Sequence, residues 1–164
     1  MNCSQLIEFL VGERRYACDL LWVREILMHP AITPVDCAPD YCRGLIHIRG
    51  QILTAINLET RLGYPPTPNP PTARCIVFKT GTELLRLAQP PDDAHMADND
   101  PAGILVDSIA DILPPETEIL PGPPQTLSGL DHSCIVGVIH NSSGLTTVLH
   151  IGSVITPVAA SSLS

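Results

Sequence analysis

Three groupings along this chain hold residues of the kind that do chemistry. Asp131, His132 and Ser133 stand side by side in SGLDHS. Acid, imidazole and hydroxyl are the parts of a nucleophilic triad. Side chains of consecutive residues cannot point at one another as that relay requires, so the string reads as a polar loop. Cys37, Cys42 and His47 are spaced C-x4-C-x4-H. Zinc takes such ligands, but a structural site wants four of them, usually with a tighter first pair, and no fourth is evident. Buried free thiols are the expected reading. Asp92 and Asp93 form a carboxylate pair inside a floppy passage that cannot hold them for acid–base work. The other histidines, His29, His95, His140 and His150, are scattered and form no i,i+4 pair. No G-x-S-x-G, H-E-x-x-H, Walker or G-x-G-x-x-G motif occurs. No catalytic residue, metal site or cofactor is therefore assigned.

Two charges stand out for another reason. GLIHIRGQIL, from Gly44 to Leu53, is apolar nearly throughout yet holds Arg49. In WVREIL, a strand reading sets Glu25 between Val23 and Leu27 on one face. An unpaired buried charge costs several kcal/mol, about 3–5 when one partner of a buried pair is missing. A guanidinium fork on a carboxylate offsets that cost. The expectation is that Arg49 pairs with Glu25 and fixes two strands in register. The alternative is that Arg49 snorkels to water at a strand edge.

The elements that would position these residues are mostly strands. LIEFLV (6–11) is followed by the turn GERR, and YACDLLWVREIL reads as two short strands with a turn near 19–22, helix being the rival. HPAITPVDCAPDY is an extended connection, with a single helical turn in APDYC. Gly50 marks a bulge or tight bend between two strands, so Gly44 and Gly50 are read as structural glycines. NLETRLG forms a helical turn ended by Gly63. YPPTPNPPT (64–72) is a stiff connector. RCIVFK is a strand, ELLRLA is ambiguous, and QPPDDAHMADNDPAG is a solvated, mobile loop. ILVDSIADIL is a strand that bends. CIVGVIH and LTTVLHI, around NSSG, form a hairpin. Residues after Ile155 are expected to fray. No internal repeat is obvious. Short strands without a sustained helical period argue for small barrels or a sandwich.

Composition removes several function classes. The formal net charge is −8, from 9 basic and 17 acidic residues, and only six residues are aromatic. A nucleic-acid binder needs a basic footprint, and a single-strand binder also needs stacking platforms. Anionic membrane surfaces are disfavoured for the same reason. No apolar run approaches the ~20 residues that span a bilayer. The start of the chain has neither the basic region nor the apolar run of a secretory signal, so a cytoplasmic location is expected.

The strings YACDLLWVREIL, APDYCRGLIHIRGQILTAINLETRLG, ILVDSIADIL and IVGVIH…LTTVLHIGSVI together resemble the CheW-like coupling domains of bacterial chemotaxis. Gly44, Ile46, Arg49, Gly50 and Leu58 match that family's most specific segment, and Val23, Glu25 and Ile26 match its Val-x-Glu-Ile pattern. Thr54 stands where the family commonly has proline, and Asn57 and His150 stand at or near common aspartates.

The resemblance implies a mainly β fold. Two small five-stranded SH3-like β-barrels would share an apolar core, forming one domain over 1–155 with a tail at 156–164. Residues 80–103 would be an acidic, proline-rich loop insertion. It further implies a non-catalytic adaptor that couples chemoreceptor cytoplasmic tips to the regulatory domain of a histidine kinase. Val23, Ile26 and Val35 would line a groove for the receptor's helical hairpin, against the plainer reading of core burial. Alternatives are a coupling protein of a surface-motility pathway, a detached kinase regulatory domain, or a β-barrel ligand-binding module with an internal cavity. No nucleic acid and no direct membrane insertion are expected, and self-association through exposed strand edges is allowed.

Overall fold

Among the described residues, the chain forms ten short strands and three five-residue helices. The computed structural model describes residues 4–97, 99–121, 132–142 and 144–156. In chain order the strands are β1 (Leu6–Val11), β2 (Arg14–Asp19), β3 (Val23–Met28), β4 (Cys42–Ile48), β5 (Gln51–Asn57), β6 (Arg74–Phe78), β7 (Ala102–Val106), β8 (Ser108–Leu113), β9 (Ile135–Asn141) and β10 (Gly144–Leu149). The helices are α1 (Leu58–Leu62), α2 (Gly81–Leu85) and α3 (Ile151–Ile155). A 3-10 turn, Leu20–Trp22, separates β2 from β3, as the two-strand reading of YACDLLWVREIL requires.

The strands form two five-stranded sheets, in the orders β8-β1-β2-β10-β9 and β3-β6-β7-β5-β4. What reads in sequence as one bent strand, ILVDSIADIL, is two strands in different sheets. The chain crosses at Asp107, whose N–H donates to Leu10 O at 2.8 Å. The alternating and continuous apolar runs dictate this arrangement, since each sheet must bury a face. Leu6, Ala17, Ile139 and Val148 cluster in the first sheet and Ile46, Leu53, Ala55, Cys75, Val77 and Leu105 in the second. A larger cluster, including Phe9, Tyr16, Trp22, Ile56, Phe78, Ile104 and Leu149, draws on both sheets and is the shared core.

The two sheets are copies of one plan. Strands β3, β6, β7, β5 and β4 correspond in order to β8, β1, β2, β10 and β9, and the parallel pair β5 with β7 is matched by β10 with β2. Residues 42–62 and 135–155 correspond position by position. Gly44 matches Gly137, Ile46 matches Ile139, His47 matches His140 and Thr54 matches Thr147. Each segment ends in a side-chain-capped helix: Thr60 N–H donates to Asn57 Oδ1 (2.9 Å) and Ser153 N–H to His150 Nδ1 (3.2 Å). No repeat is obvious in the sequence, and LTTVLHI reads there as strand to Ile151, where α3 in fact begins; both are corrections. The repeat is carried by spacing and burial, with few identical residues to betray it.

Each sheet closes on itself through one bridge. The connection after β3 returns to pair Thr33 with Leu45 on β4, and the connection after β8 pairs Leu120 with Val138 on β9. At both places the returning carbonyl crosses a buried glycine. A Cβ on Gly44 would collide with Thr33 O, and one on Gly137 with Leu120 O.

The passage 89–103, read as a solvated loop, exposes Asp92, His95, Asn99 and Asp100 but buries Pro91 and Ala94. Thr80 and Glu83 make a reciprocal capping box that starts α2. Leu84 and Ala94 are buried in the shared core. The tail beyond Thr156, and Asp131 with the side chain of His132, lie outside the described residues.

Candidate functional site

Arg49 is the residue whose placement most differs from a strand reading. β4 and β5 join through the two-residue turn Arg49–Gly50, flanked by the pair Ile48 and Gln51. Both turn residues have positive φ, 48° and 76°, as a type I′ hairpin turn requires. Arg49 is therefore at a hairpin tip and 75% exposed, not inside a strand. Glycine suits the second position because it adopts positive φ without penalty.

From that tip the guanidinium reaches β3. Arg49 Nη2 lies 2.6 Å from Glu25 Oε1, a contact in which the carboxylate is largely shielded and the arginine is not. Glu25 Oε2 is 3.3 Å from Arg24 Nε. Arg24 Nη1 in turn donates to Gln51 Oε1 (3.1 Å) and to Glu83 Oε1 (3.5 Å). β3 and β4 are the opposite edges of their sheet. These side chains thus span the seam where the sheet curls round to meet itself, and Glu83 adds α2 to the network. Burial alone would raise the Glu83 carboxyl; its bonds from Thr80 and the charge of Arg24 outweigh that and hold it below the usual range. Lys79 Nζ completes the seam by donating to Leu21 O (2.7 Å) and Val23 O (3.0 Å), and burial there lowers its pKa.

The apolar residues of this face divide. A bulge between Val23 and Glu25 breaks the strict alternation of β3. As a result Val23 and Ile26, three apart, both pack half-buried against the shared core, while Leu27 packs on the cluster within the second sheet. Val35 stands in the connection to β4, 43% exposed, and belongs to none of the apolar clusters of the described residues. Gly44 lies beneath that connection and Gly50 at the open hairpin tip. Sequence reasoning misses the matched positions on the hairpins: Ile52 and Leu145, equivalent in the repeat, are 59% and 63% exposed.

One acid–imidazole–hydroxyl chain forms among the described residues, with Asp93 Oδ2 2.7 Å from His150 Nε2 and His150 Nδ1 2.9 Å from Ser153 Oγ, at the cap of α3. No group of three or more His, Cys, Asp or Glu side chains comes together as a metal would need. Cys37 is exposed, Cys42 partly buried and His47 exposed, and no disulfide joins the described cysteines. Among the described residues no helix is long and apolar enough to cross a membrane.

A family model for the CheW-like domain matches residues 5–158. The chain belongs to the CheW-like domain family. It is 29% identical over 149 residues to the chemotaxis protein CheW of Treponema pallidum, covering 90% of this chain and 79% of that protein. It is 30% identical over 135 residues to a probable chemotaxis protein CheW of Rhizobium etli, covering 82% and 76%. Among solved structures, the scaffolding protein TtCheW from Thermoanaerobacter tengcongensis shares the fold, with a TM-score of 0.70 at 21% identity, covering 90% of this chain and 84% of that one. The CheW-like fold is mainly β, as the five-stranded sheets show. This member is a chemotaxis scaffold of the CheW type and not an enzyme.

Proposed function

We propose that this chain couples the cytoplasmic tips of chemoreceptors to the regulatory domain of a chemotaxis-type histidine kinase, acting in the cytoplasm. The observation that carries the reading is the repeated hairpin. Each half offers an exposed apolar side chain at the same place, Ile52 and Leu145, beside an edge strand. A lone exposed apolar residue is ordinary, but the same exposure at both repeat-related positions suits a molecule that holds two neighbours at once. A kinase regulatory domain built on the same paired-barrel plan can meet one hairpin edge to edge. Val23 and Ile26, half-buried beside the charged seam, and the exposed Val35 supply apolar contact for a receptor's helical hairpin. The Glu25–Arg49 pair fixes the tip of the first hairpin against β3, so the two surfaces are presented in one geometry. Transmission then consists of holding partners in register and shifting their populations.

The test is direct association. Regulatory domains of the source organism's chemotaxis kinases and a receptor cytoplasmic fragment are each titrated with the protein. Ile52→Asp and Leu145→Asp should leave folding intact, and at least one should weaken the kinase complex about tenfold or more, as loss of a central interface residue does. If no kinase regulatory domain from that organism binds, the coupling role is wrong.

A further inference from the structure

The repeat provides an internal control for features that folding does not require. One such feature is a surface cleft of about 440 Å³ in the half built on β8–β10. Its walls are apolar and include Trp22, Ile119, Val136 and Leu149, while Asp19, Asp93 and His150 stand among its lining. That is the makeup of a small-molecule site: mostly apolar surface with a few polar groups.

The polar groups are committed in a particular way. Asp19 Oδ1 accepts from Leu21 N–H at 2.9 Å, and Asp93 Oδ2 lies 2.7 Å from His150 Nε2. His150 Nδ1 lies 3.2 Å from Ser153 N and 2.9 Å from Ser153 Oγ, so the ring is held from both sides. Each carboxylate keeps a second oxygen with no hydrogen bond from the described residues. Lys79, whose charge is felt at Asp19, spends its ammonium on the Leu21 and Val23 carbonyls and does not line the cleft. Two carboxylates thus face one apolar space, with no lysine or arginine among its described lining residues.

In the other half the matching positions are Asn57 for His150 and Arg43 for Val136. Asn57 caps its helix without any partner like Asp93. The acid-lined cleft is therefore not a by-product of the repeated plan.

The geometry points to a binding site for a small organic cation, a protonated amine carrying an apolar body, with the ammonium between Asp19 and Asp93 and the body along Trp22, Val136 and Leu149. This site is independent of the coupling surfaces. Trp22 is the chain's only tryptophan, so its emission reports occupancy. The full chain is titrated with hexylammonium, hexanol and hexanoate. Hexylammonium should give a saturable change in Trp22 emission, with hexanoate and hexanol at least about tenfold weaker, the scale of one charged hydrogen bond. Asp93→Asn and Asp19→Asn, which retain the bonds to His150 and Leu21, should each weaken hexylammonium about tenfold at an unchanged melting temperature. Val136→Arg, placing there the residue type of the other half, should block it. No saturation by hexylammonium, equal binding of hexanol or hexanoate, or indifference to both asparagine variants would each overturn the assignment, hexanol binding marking the cleft as a plain apolar docking surface.

Discussion

Arg49 shows what a single residue can and cannot reveal. Its apolar neighbours suggest a buried strand, but Arg-Gly forms the hairpin turn, a role more often signalled by Asn-Gly or Asp-Gly. The charge partner, Glu25, is legible because an acid between apolar strand residues needs an answer; the exposed setting of the arginine is not. That setting bounds the energy. An ion pair with one side in water contributes about 0–1 kcal/mol. Replacing Arg49 by Asn, which accepts positive φ, should shift the free energy of urea unfolding by less than about 1 kcal/mol. It should still weaken kinase binding if the pair orients the hairpin. A loss of several kcal/mol would instead make Arg49 a structural clamp. The cysteines divide as plainly. Cys37 is exposed, whereas Cys18, Cys75 and Cys134 are buried. Among these four, a thiol reagent on the native protein should modify Cys37 first and reach the others only as the protein unfolds. Early labelling of Cys75, read by mass spectrometry of peptides, would contradict the packing.

Elements were legible where short apolar runs lay between turn signals, as in β1, β6 and the β9–β10 hairpin. Two features hid. The bulge in β3 shifts the alternation by one residue, so a period-2 reading assigns Val23 and Ile26 to different faces although both meet the shared core. In residues 80–103 the acidic composition masked Thr80-x-x-Glu83, a capping-box signature that was there to be read. The family resemblance supplied the two-barrel plan, which periodicity alone left open between barrel and sandwich. The closing bridges make a prediction that composition could not. Gly137 has no room for a methyl group against Leu120 O, a backbone atom that cannot step aside cheaply. Gly137→Ala should cost about 2–3 kcal/mol, the scale of overpacking. Gly50 meets open space, and only its positive φ resists a side chain. Gly50→Ala should cost about 1 kcal/mol. Urea titrations of the two variants side by side decide this; if Gly137→Ala is the milder change, the bridge from Leu120 to Val138 is not what closes that sheet.

At the scale of the whole molecule the two halves cannot be parted. β1 and β2 complete a sheet whose other strands come from the end of the chain, and the shared core takes side chains from both sheets. Unfolding should therefore be one cooperative step, with far-UV circular dichroism and Trp22 emission changing together. That unity sets the response to alkali. Cys75 lies within the second sheet's cluster and Cys18 in the shared core. Burial pushes the Cys75 thiol from 9.0 up to about 12. Burial, with a lesser push from Asp19, raises Cys18 as well, and burial raises the Tyr16 phenol. A raised acid keeps its proton in the folded state after the unfolded chain has released it. The stabilisation is whole below pH 9 and is lost as pH climbs toward 12. Over that window each thiol lowers the unfolding free energy by about 1.4 kcal/mol per pH unit. Because the core opens only as a unit, neither thiol can ionise by local fraying, and both act on the same transition. Urea unfolding at pH 8, 9.5 and 10.5 under reducing conditions should show stability falling with pH. Cys75→Ala should be less stable throughout, from the lost volume, yet fall less steeply. Parallel slopes in parent and variant would mean that Cys75 is already accessible to solvent in the native state.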